Sequence, residues 1–467
     1  MRRHNCRHPM KARLLPACLV LAFWGLAPLT TQAAAEPLRP NILFILADDL
    51  GRNDVGFMGG TDIKTPNLDQ LAKEGAVLDA FYVQPVCSPT RAAFLTGRYP
   101  GRLGLQVGVI RPYATYGLGL EERMLPQALQ EAGYETAIAG KWHLGTITPD
   151  YLPTRRGFDH QYGHYLGALD YFTHKRDGGH DWHRNDKVNH DEGYTTELIG
   201  REAVRRIRER DKSKPLFLYV PFNAVHSPHQ VPESYLEPYA NLKGVRRTYA
   251  GMVAAMDEAV GHILDAVKEE GLSDSTLILF SSDNGGPRPG VVTDNGLYRA
   301  GKGTLYEGGV RVAASATWPG HIKGGITINE PMHIVDFYPT LLKLAGASLE
   351  QKQPLDGRDI WPVLTEGKPS PHESILVNIT PAEGAVRVGD WKLVRRTPVM
   401  GQLPRRREIV ELYYLKGDPY EKTNLAESET AKLDELRAIL DRYAKESIPP
   451  KQAPMAADFK VPEIWGE

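Results

Sequence analysis

The chain has 467 residues, 42% of them hydrophobic and 24% charged, with a formal net charge of −1. That composition excludes a disordered, collagen-like or multi-span membrane protein. The lack of a basic excess excludes a dedicated nucleic-acid binder, and the length allows roughly three domains.

Residues 1–13 carry five cations (Arg2, Arg3, Arg7, Lys11 and Arg13) and no acid. An apolar run from Leu14 to Leu29 follows. Thr31-Gln32-Ala33 and Ala33-Ala34-Ala35 then offer small-residue cleavage sites. This is the pattern of a secretory signal peptide over residues 1–35. Pro16, Gly25 and Pro28 break the run, which argues against a membrane anchor. Cleavage would also remove Cys6 and Cys18, leaving Cys87 alone. Exported proteins usually pair their cysteines, so a lone one is either a buried inert thiol or one with a purpose.

Asn41 to Ala47 reads as a buried strand. Thr65 and Pro66 open a helix, Thr65 as its N-cap, and Gly75 closes it. Cys87 lies just before a helix that Ser88 caps, Pro89 starts and Gly97 ends. A helix over Met124 to Ala132 stops at Gly133, and a strand runs from Tyr134 to Ala139. Leu216 to Val220 is a further strand. Tyr249, Met252, Val253, Met256, Val260, Ile263 and Val267 recur at helical spacing, so residues 245–270 form an amphipathic helix. Thr276 to Phe280 is another buried strand. The alternation predicts an α/β fold with a large, mostly parallel central sheet flanked by helices.

The pattern changes after about residue 345. Ala385 to Val388 and Trp391 to Val394 flank Gly389-Asp390, which reads as a hairpin, and Ser428 to Lys445 as a helix capped by Ser428. The domain plan is a leader over 1–35, a large domain over 36–345, and a smaller α+β domain with an antiparallel sheet over 346–467.

Ligands of an open parallel sheet bind beyond the carboxyl ends of its strands. Asp48 and Asp49 follow the first strand, Lys141 and His143 the strand ending near 139. His226 follows the strand ending near 220, and Asp283 and Asn284 the strand ending near 280. Four segments thus deliver acids, a cation and imidazoles to one edge. Asp48, Asp49, Asp283 and Asn284 offer hard oxygen donors, which suit Ca²⁺, with Mg²⁺ second, over a transition metal. Cys87 sits where a helix N-terminus favours an anion, with Arg91 one turn on.

Cys87-Ser88-Pro89-Thr90-Arg91 with Leu95-Thr96-Gly97-Arg98 resembles the signature of the sulfatases, a family of the alkaline phosphatase superfamily. Gly140-Lys141-Trp142-His143, and Gly301-Lys302-Gly303-Thr304 ahead of Glu307-Gly308-Gly309, extend the resemblance over residues 38–426. Asn53 to Phe57, Leu152 to Asp159 and Leu166 to Phe172 are most similar to the arylsulfatase B group, the N-acetylgalactosamine-4-sulfatases. The chain departs from that group in lacking cysteine partners and in the stretch Lys175 to Asp191. The first departure points to a bacterial exported enzyme, periplasmic or secreted. The second leaves the sugar open.

The resemblance implies that a maturation enzyme converts Cys87 to formylglycine. It implies that Asp48, Asp49, Asp283, Asn284 and residue 87 hold Ca²⁺. It implies that Arg91, Lys141, His143, His226 and Lys302 bind sulfate and catalyse its removal from a sulfated carbohydrate. His143 is the expected base, and Lys302 or His226 the donor to the leaving oxygen. The segment around His180 and Trp182 is expected to line the sugar pocket, with Trp182 stacking on a ring. Two other readings stay open: a phosphate or phosphonate ester hydrolase of the same superfamily, and an inactive glycan-binding protein.

Overall fold

The computed structural model describes residues 38–396 and 408–467; the expected leader, residues 1–35, lies outside the described residues. Strand β1 (Asn41–Ala47) shows why the fold is layered. Its Ile42, Phe44 and Leu46 join one apolar cluster with Phe217, Tyr219, Leu277 and Leu279. Its Leu43, Ile45 and Ala47 join another with Leu218, Val220, Ile278 and Phe280. Side chains of a strand alternate faces, so a strand apolar on both must be covered on both.

The sheet also contains β2 (Ala76–Leu78), β3 (Glu135–Lys141), β4 (His160–His164), β5 (His183–Arg184) and β6 (Lys187–Val188). It is completed by β7 (Leu216–Pro221), β8 (Thr276–Ser282), β9 (Ala314–Thr317) and β10 (Ile326–Ile328). The order is β10-β2-β9-β8-β1-β7-β3-β4-β5-β6. The five strands from β8 to β4 run parallel. β9 is antiparallel to β8, and β5 to β4. Leu46 pairs with Pro221 and Ala47 with Ser282, so the carboxyl ends of β1, β7 and β8 lie level.

Helices α1 (Pro66–Glu74), α4 (Thr195–Glu209) and α5 (Gly244–Glu269) cover one face. Helices α2 (Cys87–Thr96), α3 (Leu125–Glu131) and α6 (Phe337–Ala345) cover the other. On that second face Phe44 lies 4.4 Å from Phe94, 5.6 Å from Phe337 and 5.7 Å from Tyr219 between ring centres. A second, antiparallel sheet follows: β11 (Ile375–Ile379), β12 (Glu383–Val388), β13 (Trp391–Arg396) and β14 (Ile409–Tyr414). Helix α7 (Thr430–Glu446) buries Leu433, Leu436 and Leu440. The expected hairpin forms, and Gly389 supplies the left-handed residue its turn requires, at φ 54°.

Local capping differs from expectation. Helix α2 starts at Cys87 itself, with Val86 as its N-cap. Ser88 does not cap; its Oγ accepts from the Ile110 N–H at 3.1 Å. Thr65 stands at the N-cap of α1 as expected, but its hydroxyl accepts from the Gly56 N–H and donates to Asp69 without bonding the helix end; Ser428 donates to the Leu425 carbonyl. In each case a tertiary or turn partner took the hydroxyl that the local pattern assigned to the helix end. Strand β3 runs two residues further than expected because Gly140 and Lys141 pair with Gly163 and His164. Gly140 stands at φ 135°, and a Cβ there would meet the Pro221 carbonyl at 2.0 Å. Only glycine lets β3 reach its end beside β7.

Two buried charge clusters tie elements together. Lys392 of β13 is fully buried and places Nζ 2.8 Å from both Glu307 and Glu421. Burial alone would raise the Glu307 carboxyl; Lys392, Arg311 and Arg387 hold it down to about 2. Lys392→Ala leaves two buried carboxylates without that partner and is expected to cost about 3–5 kcal/mol in denaturant unfolding. On α4, Glu202 meets His160 of β4, Arg184 of β5 and Arg205. Burial opposes them, but these partners depress its carboxyl to about 2 from 4.5. A carboxyl depressed in the folded state stabilises fully above its unfolded value and loses that contribution as pH falls through the folded one. Acid unfolding measured from pH 4.5 down to about 2 should therefore be less steep in Glu202→Gln than in the parent.

Candidate active site

The level strand ends bring their following residues together. The Asp48 N–H donates to the Ala224 carbonyl at 2.9 Å, the Val225 N–H to Asp48 at 2.7 Å, and the Asp283 N–H to Ala47 at 3.0 Å. Loops after β1, β7 and β8 are thus joined by main-chain bonds. Asp48, Asp49, Asp283 and Asn284 are all buried. Asp49 has φ 63° and His143 φ 61°, left-handed conformations that non-glycine residues adopt at a cost of roughly 1–3 kcal/mol.

Helix α2 brings Cys87 in its first turn and Arg91 one turn later. The Cys87 thiol donates to Asp48 Oδ1 at 3.4 Å. Arg91, fully buried, donates to Asp283 Oδ2 at 2.9 Å and to the Lys141 carbonyl at 3.0 Å. Lys141 Nζ bonds Asp48 Oδ2. Lys302 Nζ lies 2.6 Å from Asp49 Oδ1 and 3.6 Å from Cys87 Sγ. The Lys302 loop is held where it is by the Gly303 N–H, which donates to the Pro85 carbonyl at 2.8 Å.

Two histidines face this group. His226 Nε2 lies 3.6 Å from Asp49 Oδ2, and its Nδ1 donates to the Ser227 carbonyl at 2.6 Å. His143 Nε2 donates to the Ile110 carbonyl at 3.1 Å. Its Nδ1 is buried with no hydrogen-bond partner among the described residues. Burial first, then Lys141 and Arg91, hold the His143 imidazole well below its ordinary range. A neutral ring donating through Nε2 leaves Nδ1 as a free acceptor. Gly167 packs on this ring; a Cβ there would meet Nε2 at 2.4 Å.

Three carboxylates (Asp48, Asp49 and Asp283) therefore face three cations (Arg91, Lys141 and Lys302). Burial would raise Asp48 and Asp49, but Lys141 and His226 for the first, and His226 and Lys302 for the second, hold both below the usual range. The Cys87 thiol moves the other way: burial, then Asp283 and Asp48, push it up, so it is a neutral thiol at physiological pH.

The cluster can hold a metal ion, and the carboxylates of Asp48 and Asp49 are its hard donors. One ligand atom each from Asp48, Asp49, Cys87 and His226 all lie within 4.8 Å of one another. Asn284 donates through Nδ2 to Asp49 Oδ1 at 2.7 Å, leaving its buried Oδ1 without a partner among the described residues. His226 enters this group unforeseen. Asp283, expected as a ligand, has its oxygens bonded to Arg91 and to the Asp49 N–H.

The sugar-pocket expectation for Trp182 is overturned. Trp182 is fully buried. It packs edge-on to Tyr162 at 5.2 Å and stacks on His174 at 4.7 Å, so no ring face is open to a sugar. The pairing of β5 with β4 sets the indole in the core, next to Tyr162. His180 is half-buried; its Nε2 donates to the Asn189 carbonyl at 2.7 Å, and its main chain bonds Glu463 and Trp465. The sequence reading also missed Tyr171, whose hydroxyl lies 2.7 Å from the carbonyls of both Asn223 and His226 and fixes the His226 loop. It missed Thr90, which donates to the Asp283 carbonyl at 2.6 Å. Both lie inside motifs quoted above, but their partners sit at long sequence separations that no local pattern gives.

Comparison with known proteins gives a consistent answer. The family model described as Sulfatase matches residues 40–347. Mouse arylsulfatase J is 37% identical over 92% of this chain and 80% of its own length. Rat N-acetylgalactosamine-6-sulfatase is 34% identical over 73% of this chain and 69% of its own. Among solved structures, the crystal structure of Ps i-CgsB in complex with k-i-k-neocarrahexaose is similar with a TM-score of 0.81 and 35% identity. That match covers 88% of this chain and 94% of that one.

A cation that binds this cluster in the folded state only must stabilise it. Ca²⁺ at 100 times its dissociation constant should add about 2.7 kcal/mol, read as a rise in the melting temperature. Asp49→Asn should abolish the rise.

Proposed function

We propose that this chain, which belongs to the sulfatase family and is a sulfuric ester hydrolase, removes sulfate from sulfated carbohydrate, with 4-sulfated N-acetylgalactosamine units as the favoured class. The observation that carries the reading is the setting of Cys87: the one cysteine among the described residues, buried and kept as a neutral thiol, among three carboxylates and three cations. A neutral thiol is a poor nucleophile, which supports its being a precursor. Formylglycine at position 87, made by a maturation enzyme, would supply a hydrated aldehyde whose hydroxyl is the nucleophile toward sulfur. Ca²⁺ held by Asp48, Asp49, Asp283, Asn284 and residue 87 would neutralise the carboxylates and polarise a sulfate oxygen.

The chain's own residues then divide the work. Arg91 is locked between Asp283 and the Lys141 carbonyl and sets the position of residue 87. Lys141 and Lys302, paired here with Asp48 and Asp49, are the cations that face sulfate oxygens when those carboxylates have another partner. His143 Nδ1 is the free acceptor for a proton from residue 87. His226 Nε2 and the Lys302 ammonium are the donors available to the leaving oxygen.

Charge supports the substrate class. Three acids and three cations cancel, so a divalent ion leaves an excess of two positive charges, which favours an anionic ester as the guest. Magnitude supports the number of groups. Enzymes lower barriers by ~8–23 kcal/mol, and one preorganised donor supplies about 3–4. Several groups must converge, as they do here.

The leader-like residues 1–35 support export to a periplasmic or extracellular location. Among the described residues no helix is long and apolar enough to cross a membrane. The candidate residues all fall within 36–345, the larger of two proposed domains, with 346–467 as the smaller.

The test is sulfate release from a 4-sulfated N-acetylgalactosamine disaccharide and from an aryl sulfate, with a phosphate ester alongside. Conversion of residue 87 is verified first by peptide mass. Sulfate release is expected, and Cys87→Ala should lose roughly 10⁴-fold or more while its melting temperature holds. Full activity in that variant, or phosphate release without sulfate release, overturns the reading.

A further inference from the structure

Beside the site lies a pocket of about 400 Å³ with a different character. Arg111, Tyr113 and Tyr116 line it from one side, and Lys451 from the other. No acidic residue lines it, and neither Arg111 nor Lys451 forms an ion pair among the described residues. The surrounding surface is otherwise rich in paired charges, including Arg102 with Glu446 at 2.6 Å close by in sequence.

Its link to the site is short. Ile110 points inward and is buried. Its N–H donates to Ser88, the neighbour of Cys87, and its carbonyl accepts from His143. The residues on either side, Val109 and Arg111, line the pocket. One residue therefore separates the first turn of α2 from the pocket wall. The far wall is also built in. The Ile448 N–H donates to the Gly101 carbonyl at 2.9 Å, and the Lys451 N–H to Gly104 at 2.7 Å. Further along, Phe459 packs edge-on against Tyr113 at 6.1 Å. Residues 447–459 thus form a strap that carries Lys451 to the rim.

We propose that this pocket is a second subsite, which binds an anionic sugar residue next to the one that loses its sulfate. The inference rests on the sulfatase reading and names the substrate as an oligosaccharide of at least two anionic units. Two unpaired cations suit a carboxylate or sulfate on that neighbouring sugar, and two half-buried tyrosines supply an amphipathic wall for its ring. A volume of this size lies in the range of small-ligand sites. The strap makes the subsite a joint product of residues some 340 positions apart, from Arg111 to Lys451.

Converted enzyme is assayed on a chondroitin 4-sulfate tetrasaccharide and on a small aryl sulfate. Arg111→Ala and Lys451→Ala should each raise KM for the tetrasaccharide about tenfold, leaving kcat and aryl sulfate turnover within twofold. Added salt should raise the parent's KM for the tetrasaccharide and do so less in the variants. Equal losses on both substrates would assign the loop a structural role and overturn the proposal, as would unchanged kinetics on both. The parent reading fails separately, by absence of aryl sulfate turnover. In that event calorimetry of the tetrasaccharide with Cys87→Ala decides: binding weakened by Lys451→Ala supports the subsite, and no binding overturns it.

Discussion

Carboxylates buried side by side repel, and a fold that keeps three of them together must hold their counter-charges as firmly as the acids themselves. Asp48, Asp49 and Asp283 stand under that constraint. Arg91, Lys141 and Lys302 answer it from three different parts of the chain. The arrangement is neutral as it stands and becomes strongly positive when a divalent ion is added. An anionic ester is then the natural guest.

The supports are mostly main chain. Strand ends that lie level, and loops after β1, β7 and β8 that bond one another, place the acids without relying on their side chains. Arg91 needs α2 to begin at Cys87, and Lys141 needs the glycine at 140 that lets β3 close on β7. The Lys302 loop rests against the turn Glu307–Val310, where the Gly308 N–H donates to the Arg299 carbonyl. That turn is in turn anchored by Lys392 and Glu421 of the C-terminal region. The antiparallel sheet, remote from the chemistry in sequence, so contributes to the placement of a cation within it.

The same logic separates a site histidine from a structural one. His143 and His226 each commit one ring nitrogen to a carbonyl and leave the other facing the charged group. His174, by contrast, donates to the Gly193 carbonyl and stacks on Trp182, within the core. Chemistry alone would not distinguish them, since all three are histidines in polar segments. The surroundings of the ring do: charged side chains beside His143 and His226, an indole beside His174.

The sequence by itself determined the layers and the chemistry. Apolar runs such as Asn41 to Ala47 and the helical spacing of residues 245–270 are local signals, because strand and helix periods are properties of neighbouring residues. The strand ends and the segment from Cys87 to Arg98 likewise carried the acids, the cysteine and its arginine in plain order. Tertiary structure alone decided the contacts. It turned Trp182 into core, gave the Ser88 hydroxyl to Ile110 instead of the helix end, and brought His226 beside Asp49. It also carried Lys451 to the pocket wall opposite Arg111. Each of these depends on which residues meet across tens or hundreds of positions, and a side chain's partner there is set by packing, which no local period encodes.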